Sequence, residues 1–355
     1  MPPGGLSRPG YARGVPGHHP LVPAFDGAAV PLGEVLDRQV ELLRDAHRAG
    51  DPVAAELLRG TGTVPSGPEL TREVARLAIA RDHGFPDWAA AREQAEIMVD
   101  VPFEAAADAI QWGELAVLRD LLGAYPALVR MRSPFPHHAT LLHHVAANGI
   151  EVERQLQSPP NAPEIMRLLL ERGAEPDALC DTYGGGRAQT TLVLLVSSCV
   201  PAAAGVQGDL VDELCRGGAQ VNGLDDDGLP LWTAVSFGNS EAAAALVRCG
   251  ARVDNIVLAA ALGDLSAVRG YFGPDGKLRP DQPHLRIGLG GPELAAAHLV
   301  DYALIQAAGH GRREVVEFLL GKQPDLTVTE PFFGATARGA ANHQGYTEIA
   351  ALIGG

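Results

Sequence analysis

The sequence contains no apolar run long enough to cross a bilayer. Its longest apolar stretches, such as TLVLLVSSCV at 191–200, fall well short of the roughly 20 residues that a membrane helix needs. The N-terminus also lacks the charged-then-apolar pattern of a secretory signal. We therefore expect no membrane segment and a cytoplasmic location.

The sequence also lacks paired cysteines. Its four cysteines, Cys180, Cys199, Cys215 and Cys249, are too far apart for a CxxC pair and lie in apolar helical patterns. They are predicted to be reduced, buried, small hydrophobic residues. Neither a zinc site nor a disulfide framework is indicated.

Positive charge is scarce. The formal net charge is −15, and among 28 basic residues only Lys277 and Lys322 are lysines. A surplus of acidic residues repels phosphate backbones, so we expect no nucleic-acid partner. A cationic partner is electrostatically more favourable. The low lysine content beside abundant alanine and glycine is typical of a GC-rich bacterial genome.

The first hundred residues divide into two parts. Residues 1–30 are so rich in proline and glycine that a disordered leader is predicted. Residues 31–100 have apolar residues at helical spacing, with Pro68 near one helix start and Gly84 at its end. Asp87 is the predicted N-cap of a further helix. This segment is predicted to form a helical N-terminal unit.

From residue 101 to 355 one pattern recurs. A helix of small residues is followed by glycine, by a second helix that ends in Leu-Leu, and by a Gly-Ala and Asp-containing link. Examples are LWTAVSFGNSEAAAALVRCGARVDN at 231–255 and ALIQAAGHGRREVVEFLLG at 303–321. A single helix pair cannot bury its apolar face alone, so the pattern predicts that neighbouring pairs stack into one continuous core.

These residues resemble the ankyrin repeat family, whose unit of about 33 residues begins T-P-L-H-x-A. One unit carries the pattern at Thr140, Leu142, His143, Ala146 and Gly149, and another carries it at Pro230, Leu231, Ala234 and Gly238. The resemblance covers about residues 102–353 in roughly seven units. It implies an all-α solenoid of irregular helix pairs, with residues 31–100 as a helical cap.

Three insertions interrupt the array, near 150–162, 199–208 and 273–294. In solenoids such insertions emerge as loops on one face, which is often the binding face. We therefore expect them to be exposed beside a ligand or partner.

Histidines cluster in PHHATLLHH at 136–144. His143 occupies the consensus histidine of the repeat, and the resemblance implies that its ring bonds local backbone. His144 is predicted to pack inward. His137 and His138 lie in the preceding link, where they could face solvent or a ligand. No HExxH or CxxC pattern accompanies them, so no metal site is predicted.

Other candidate motifs favour turns over chemistry. The loop DTYGGGR at 181–187 carries Asp181 and Tyr183 but lacks the GxxxxGK[ST] phosphate-loop pattern. DDDG at 225–228 is typical of a turn with a helix cap, because an EF-hand loop beginning at Asp225 would need an acid where Ser236 stands. No nucleophile motif is present, and no cofactor is expected.

The predicted function is therefore recognition of a partner protein on the links and first helices, the concave surface that the resemblance implies. The candidate binding residues, chosen by position, are His137, His138, Asp181, Tyr183, Asp226, Asp227, Trp232, Asp254 and Asn255. The alternative is small-molecule binding or an acid–base enzyme of the biosynthetic tailoring or cyclisation type. It would place His137 or His138 with Asp181 and Tyr183 in a closed pocket under the insertions.

Overall fold

The computed structural model describes residues 28–65, 67–182, 186–279, 285–286, 293–331 and 333–354. The predicted disordered leader lies outside these residues except for its last three. The chain divides into two compact units, residues 1–219 and 220–355. This division falls inside the predicted repeat array, and the boundary expected at residue 100 stays a prediction.

Unit 1 begins with a four-helix cap, which packs around a leucine- and alanine-rich core. The cap helices are α1 (Leu32–Ala49), α2 (Pro52–Gly60), α3 (Arg72–Asp82) and α4 (Trp88–Glu93). Asp87 caps α4 as predicted, because its Oδ1 accepts a 2.9 Å hydrogen bond from Ala90 N–H. Strands β1 (Ala29–Pro31) and β2 (Met98–Asp100) pair antiparallel and bring the two ends of the cap together.

Three helix pairs follow the cap in unit 1. Their helices are α5 (Val101–Trp112) with α6 (Leu115–Ala124), α7 (Leu141–Val145) with α8 (Ala162–Glu171), and α9 (Thr191–Ser197) with α11 (Gln207–Arg216). The short helix α10 (Cys199–Ala203) lies between α9 and α11, a 3-10 helix spans Pro126–Arg130, and β3 (Leu179–Cys180) pairs with β4 (Gln189–Thr190). The first helices α5, α7 and α9 pack side by side, as do the second helices α6, α8 and α11. This is the stacking that the repeat pattern predicts.

Unit 2 contains four further helix pairs. They are α12 (Leu229–Ser236) with α13 (Ser240–Arg248), α14 (Ile256–Leu262) with α15 (Leu265–Gly270), α16 (Leu299–Gly309) with α17 (Arg313–Leu320), and α18 (Ala337–His343) with α19 (Thr347–Gly354). Its first helices again pack in sequence order, and the buried alanines of α14 and α16 permit their close approach. A 3-10 helix spans Ala296–His298, and β5 (Leu285–Arg286) pairs with β6 (Glu293–Leu294).

The all-α class is confirmed in the described residues, where strands form only three two-stranded ribbons. The prediction of about seven helix pairs agrees with the three pairs of unit 1 and the four of unit 2. Within the part of the chain that the structure covers, no helix is both long enough and apolar enough to cross a membrane.

Two expectations need correction. The first insertion is not an exposed loop: residues 150–154 are buried, and a 3-10 helix spans Glu153–Gln155 beneath the cap. The reason is that its polar side chains find buried partners on the cap and on α5. Among the cysteines, Cys180 is buried as predicted, but Cys199 is exposed at the start of α10. Most of the third insertion lies outside the described residues.

Candidate functional site

The predicted site residues of unit 1 divide between surface and interior. His138 is exposed and has a positive φ of 50°. Asp181 is half-buried, and its Oδ1 accepts a 3.0 Å hydrogen bond from Ala188 N–H. Tyr183 lies outside the described residues. His137, by contrast, is buried, so its ring does not reach the surface of the link.

His143 has the scaffold role that the resemblance implies. Its Nδ1 accepts a 3.1 Å hydrogen bond from the backbone N–H of Thr140. Its Nε2 donates a 2.9 Å hydrogen bond to the carbonyl oxygen of Ala178. Burial lowers the pKa of His143 to about 4, so the ring is neutral at pH 7. His144 is also buried, as predicted.

The predicted site residues of unit 2 also separate by burial. Trp232 is in the core, and Asn255 is fully buried as the N-cap of α14, where its Oδ1 accepts from Leu258 N–H at 2.9 Å. Neither side chain is displayed for a partner. Asp226, Asp227 and Asp254 are exposed on the links that precede α12 and α14.

A salt bridge shows that these two links lie against each other. Arg252 Nη1 is 2.5 Å from Asp226 Oδ1, and Arg252 Nε is 3.9 Å from Asp254 Oδ2. Asp227 has a local role as well, because its Oδ1 accepts a 3.0 Å hydrogen bond from Leu229 N–H. We call Leu224, Asp225, Asp226, Asp227 and Asp254 the acidic link surface; all five side chains are exposed.

A second polar assembly, in unit 1, is hidden from solvent, and sequence reasoning missed it. It joins the cap, the link before α7, helix α5 and the first insertion. We call it the Glu151 cluster, and its members are Gln39, Asp82, His83, Glu104, Asp108, His137, Glu151, Glu153 and Arg154.

Glu151 is the centre of this cluster and is fully buried. Its Oε1 lies 3.1 Å from His83 Nδ1 and 3.4 Å from His137 Nε2, and its Oε2 accepts a 2.8 Å hydrogen bond from Arg154 Nη1. Burial alone would raise the pKa of Glu151. The Arg154 charge and the two imidazoles outweigh that penalty and hold the pKa well below its ordinary value. Glu151 is therefore a buried carboxylate anion.

Arg154 connects the insertion to α5. It contacts Glu104 at 2.7 Å and Asp108 at 2.9 Å, besides Glu151. Burial opposes the charge of Arg154, but the surrounding carboxylates raise its pKa well above the ordinary value. A single guanidinium thus pairs with three carboxylates and forms an ion network rather than an isolated pair.

Two further carboxyl groups lie beside this network. Asp82 Oδ1 accepts a 2.7 Å hydrogen bond from Val152 N–H, but its Oδ2 and both oxygens of Glu153 are buried without a hydrogen-bond partner. Burial and then the charge of Glu151 raise the pKa of Asp82 to about 8. Burial and then the charge of Asp82 raise the pKa of Glu153 well above its ordinary value. Asp82 and Glu153 are therefore protonated and uncharged at pH 7.

The imidazoles hold defined positions in the cluster. His83 stacks on Phe135 with ring centroids 3.9 Å apart, and its Nε2 lies 2.8 Å from Gln39 Oε1. His137 Nδ1 accepts a 3.1 Å hydrogen bond from Ala139 N–H. In a neutral ring the proton of His137 is then on Nε2, facing Glu151.

The sequence gives only faint signals of this cluster. The DH pair at 82–83 is typical of a helix end, and EVER at 151–154 lies in a segment that the sequence predicts to be an exposed loop. The charged residues of EVER occur in an insertion with four buried positions in a row, which no helical or strand period reveals. Their pairing across about 70 residues depends on the tertiary fold.

A recess of about 400 Å³ opens on the cap next to the 136–138 link. It is lined by Gly60, Thr61, Arg81, Gly84, Phe85 and Pro86. A Cβ added at Gly84 would lie 3.4 Å from Pro136, which places the recess beside this link. Its size suits a small molecule. The His137 ring does not open into it as the alternative function requires, because that ring contacts Glu151 in the interior.

Comparisons with known proteins give weak similarities. No protein-family model matches the sequence, and no curated protein matches it. Among solved structures, the chain is similar to the human ASB11 ankyrin repeat domain, with 19% identity over 72% of this chain and 98% of that one and a TM-score of 0.37. It is also similar to the ankyrin repeat domain of Bcl-3, described as a unique member of the IkappaB protein family, with 19% identity over 71% and 98% of the two chains and a TM-score of 0.36. The helix-pair architecture therefore rests on the packing within each unit.

Proposed function

We propose that the protein is a recognition module and that the acidic link surface of unit 2 binds a basic segment of a partner protein. The observation that carries this proposal is the exposure of four carboxylates on two links that Arg252 holds together. The helices behind these links are packed on apolar residues, so the scaffold is complete without a ligand.

Charge complementarity supports a cationic protein segment. The chain carries a net charge of −15, which repels nucleic acid and accelerates encounter with a basic partner. An arginine of the partner can bond the same carboxylates that Arg252 now contacts, and paired N–H groups suit carboxylate geometry. Leu224, which is 42% exposed, offers an adjacent apolar contact.

The test uses a variant that removes charge but keeps hydrogen bonding. This triple variant carries Asp225→Asn, Asp226→Asn and Asp227→Asn. Its amide oxygens can still cap α12, so the fold is retained. Fluorescein-labelled peptides of equal length that are basic, neutral or acidic serve as probes. We expect the basic peptide alone to bind the wild type, with an affinity that falls as salt is added, and the variant to bind it at least about tenfold more weakly.

The matched control removes three exposed carboxylates elsewhere in unit 2, as Glu314→Gln, Glu317→Gln and Glu348→Gln. It changes the net charge equally and should leave peptide binding close to wild type. Equal loss in both variants would mean that the peptide responds to net charge, and the acidic link surface would lose its assigned role.

The small-molecule or acid–base alternative stays a prediction. Of its four residues, His138 and Asp181 are accessible, His137 is buried, and Tyr183 lies outside the described residues.

A further inference from the structure

We propose that His83, His137 and Glu151 bind a divalent cation of the zinc class, and that this ion ties the helical cap to the repeats of unit 1. The site is separate from the acidic link surface and independent of the recognition function proposed above. It uses ligands from three separated segments: the end of α3, the link before α7, and the first insertion.

The spacing of the three ligand atoms fits such an ion. His83 Nδ1 and His137 Nε2 lie 3.1 and 3.4 Å from Glu151 Oε1, and all three atoms are within 4.8 Å of one another. Zinc bonds of about 2.0–2.1 Å in a tetrahedral site place neighbouring ligand atoms roughly 3.3 Å apart. Two imidazole nitrogens with one carboxylate oxygen are a ligand set that zinc accepts.

Neighbouring groups orient two of the ligands. His83 Nε2 lies 2.8 Å from Gln39 Oε1, so donation of the Nε2 proton to this oxygen leaves a lone pair on Nδ1. Metal-bound histidines are commonly held in this way through their second nitrogen. Arg154 bonds the other carboxylate oxygen of Glu151 and leaves Oε1 toward the two histidines.

Metal binding at this site depends most on His137. Its Nε2 is buried, aimed at Glu151, and without a hydrogen-bond partner. Coordination through Nε2 moves the proton of the neutral ring to Nδ1, so the hydrogen bond that Nδ1 accepts from Ala139 N–H is replaced by a contact between two donors. Three metal–ligand bonds outweigh the loss of one backbone hydrogen bond several-fold.

Buried acceptor atoms without donors also favour a cation in this cluster. The carboxyl groups of Asp82, Glu104, Asp108, Glu151 and Glu153 surround one guanidinium, that of Arg154. Three of their buried oxygens, on Asp82 and Glu153, receive no hydrogen bond. Unmatched buried acceptors call for a missing donor or a positive charge.

Because all three ligands are buried, the ion enters as the chain folds. The ligand segments approach one another only when the cap docks on the repeats. Metal binding and cap docking are then one linked equilibrium.

The test uses the full chain. Protein purified without chelator is analysed for metal by mass spectrometry. Protein unfolded with EDTA is freed of the chelator while still unfolded and is then refolded with Co²⁺ in place of zinc. We expect zinc in the purified protein and the visible absorption of tetrahedral Co²⁺ after refolding, saturating at one ion per chain. The near-ultraviolet thiolate band should be absent, because no cysteine is a ligand.

His137→Gln should abolish the Co²⁺ spectrum, and His138→Ala, which changes the adjacent exposed histidine, should preserve it. If the His137 variant does not fold, the wild-type spectrum still decides. A metal-free purified protein that refolds with Co²⁺ present yet shows no absorption overturns the proposal. So does a His137 ring that keeps its proton on Nε2 by NMR when Co²⁺ is replaced by Zn²⁺.

Discussion

The Glu151 cluster of unit 1 and the acidic link surface of unit 2 use acidic residues in opposite ways. In unit 1 the Glu151 cluster buries carboxylates among histidines and one arginine. In unit 2 the acidic link surface leaves carboxylates in water, where Asp226 remains 72% exposed even while paired with Arg252. The carboxylates of the acidic link surface lie outside the helices, whereas the Glu151 cluster combines acids of α3 and α5 with acids of the first insertion. The difference shows that burial, rather than composition, determines what a carboxylate does in this protein.

The links before α7 and α12 show the same contrast. The first is fixed by buried hydrogen bonds of His143, which reach Thr140 and Ala178. In the second, Trp232 occupies the corresponding position and is buried by apolar contact. At this position unit 2 therefore replaces a hydrogen-bonded imidazole with a buried indole.

The largest effect is expected when the centre of the Glu151 cluster is removed. Glu151→Ala leaves His83, His137 and Arg154 buried without their common anion, and it should lower the free energy of unfolding by about 3–5 kcal/mol. Urea unfolding of both proteins measures this loss of free energy. EDTA is present so that no bound metal contributes and only the ion network is tested.

Asp226→Asn is the matched change at the surface, because asparagine tolerates the positive φ of 55° at this position. Its carboxylate is solvated, so the urea midpoint should not move measurably. Similar losses in the two variants would erase the contrast between the units.

A smaller effect is expected at His143. His143→Ala removes the buried hydrogen bonds of the ring with Thr140 and Ala178 and should cost about 2 kcal/mol at pH 7. Burial lowers the folded-state pKa of His143 from 6.5 to about 4, so between these values the unfolded chain holds the proton more tightly. The contribution of His143 is therefore complete above pH 6.5 and declines as the pH falls toward 4. Melting curves of both proteins at pH 7 and pH 4.5 test this; a constant difference would show that the ring is not held neutral by burial.

The smallest effect concerns thiol reactivity and leaves stability unchanged. Burial raises the pKa of Cys180 to about 12, and Cys199 is exposed. Iodoacetamide applied to the native protein should modify Cys199 and spare Cys180, as read by peptide mass spectrometry. Equal modification of the two would mean that β3 opens readily.

The helix pairs could be predicted from the sequence because their signals are local. Apolar spacing, glycine stops and the Asp87 cap act within a few residues, and the His143 position belongs to a short motif. The Glu151 cluster could not be predicted in this way. His83 and Glu151 are 68 residues apart, and only the docking of the insertion on the cap reveals that they share a site.

The burial of His137 is likewise not visible in its local sequence, which places this residue at the surface. A histidine in a link is usually solvated, and its burial depends on Phe135 and on the insertion that covers it. For Asp226 and Asp254 the local prediction of exposure is sufficient, because both side chains remain exposed among the described residues of unit 2.

The docked insertion also limits how this protein can be divided. Val152 lies so close to Gly60 that a methyl group added there would approach it to 2.8 Å, and Asp82 holds the Val152 backbone. A fragment that starts at the first repeat would expose this apolar side chain together with the acids that flank it. Repeats of unit 1 expressed without the preceding four helices should therefore aggregate or unravel, so grafting or shortening has to carry the cap along.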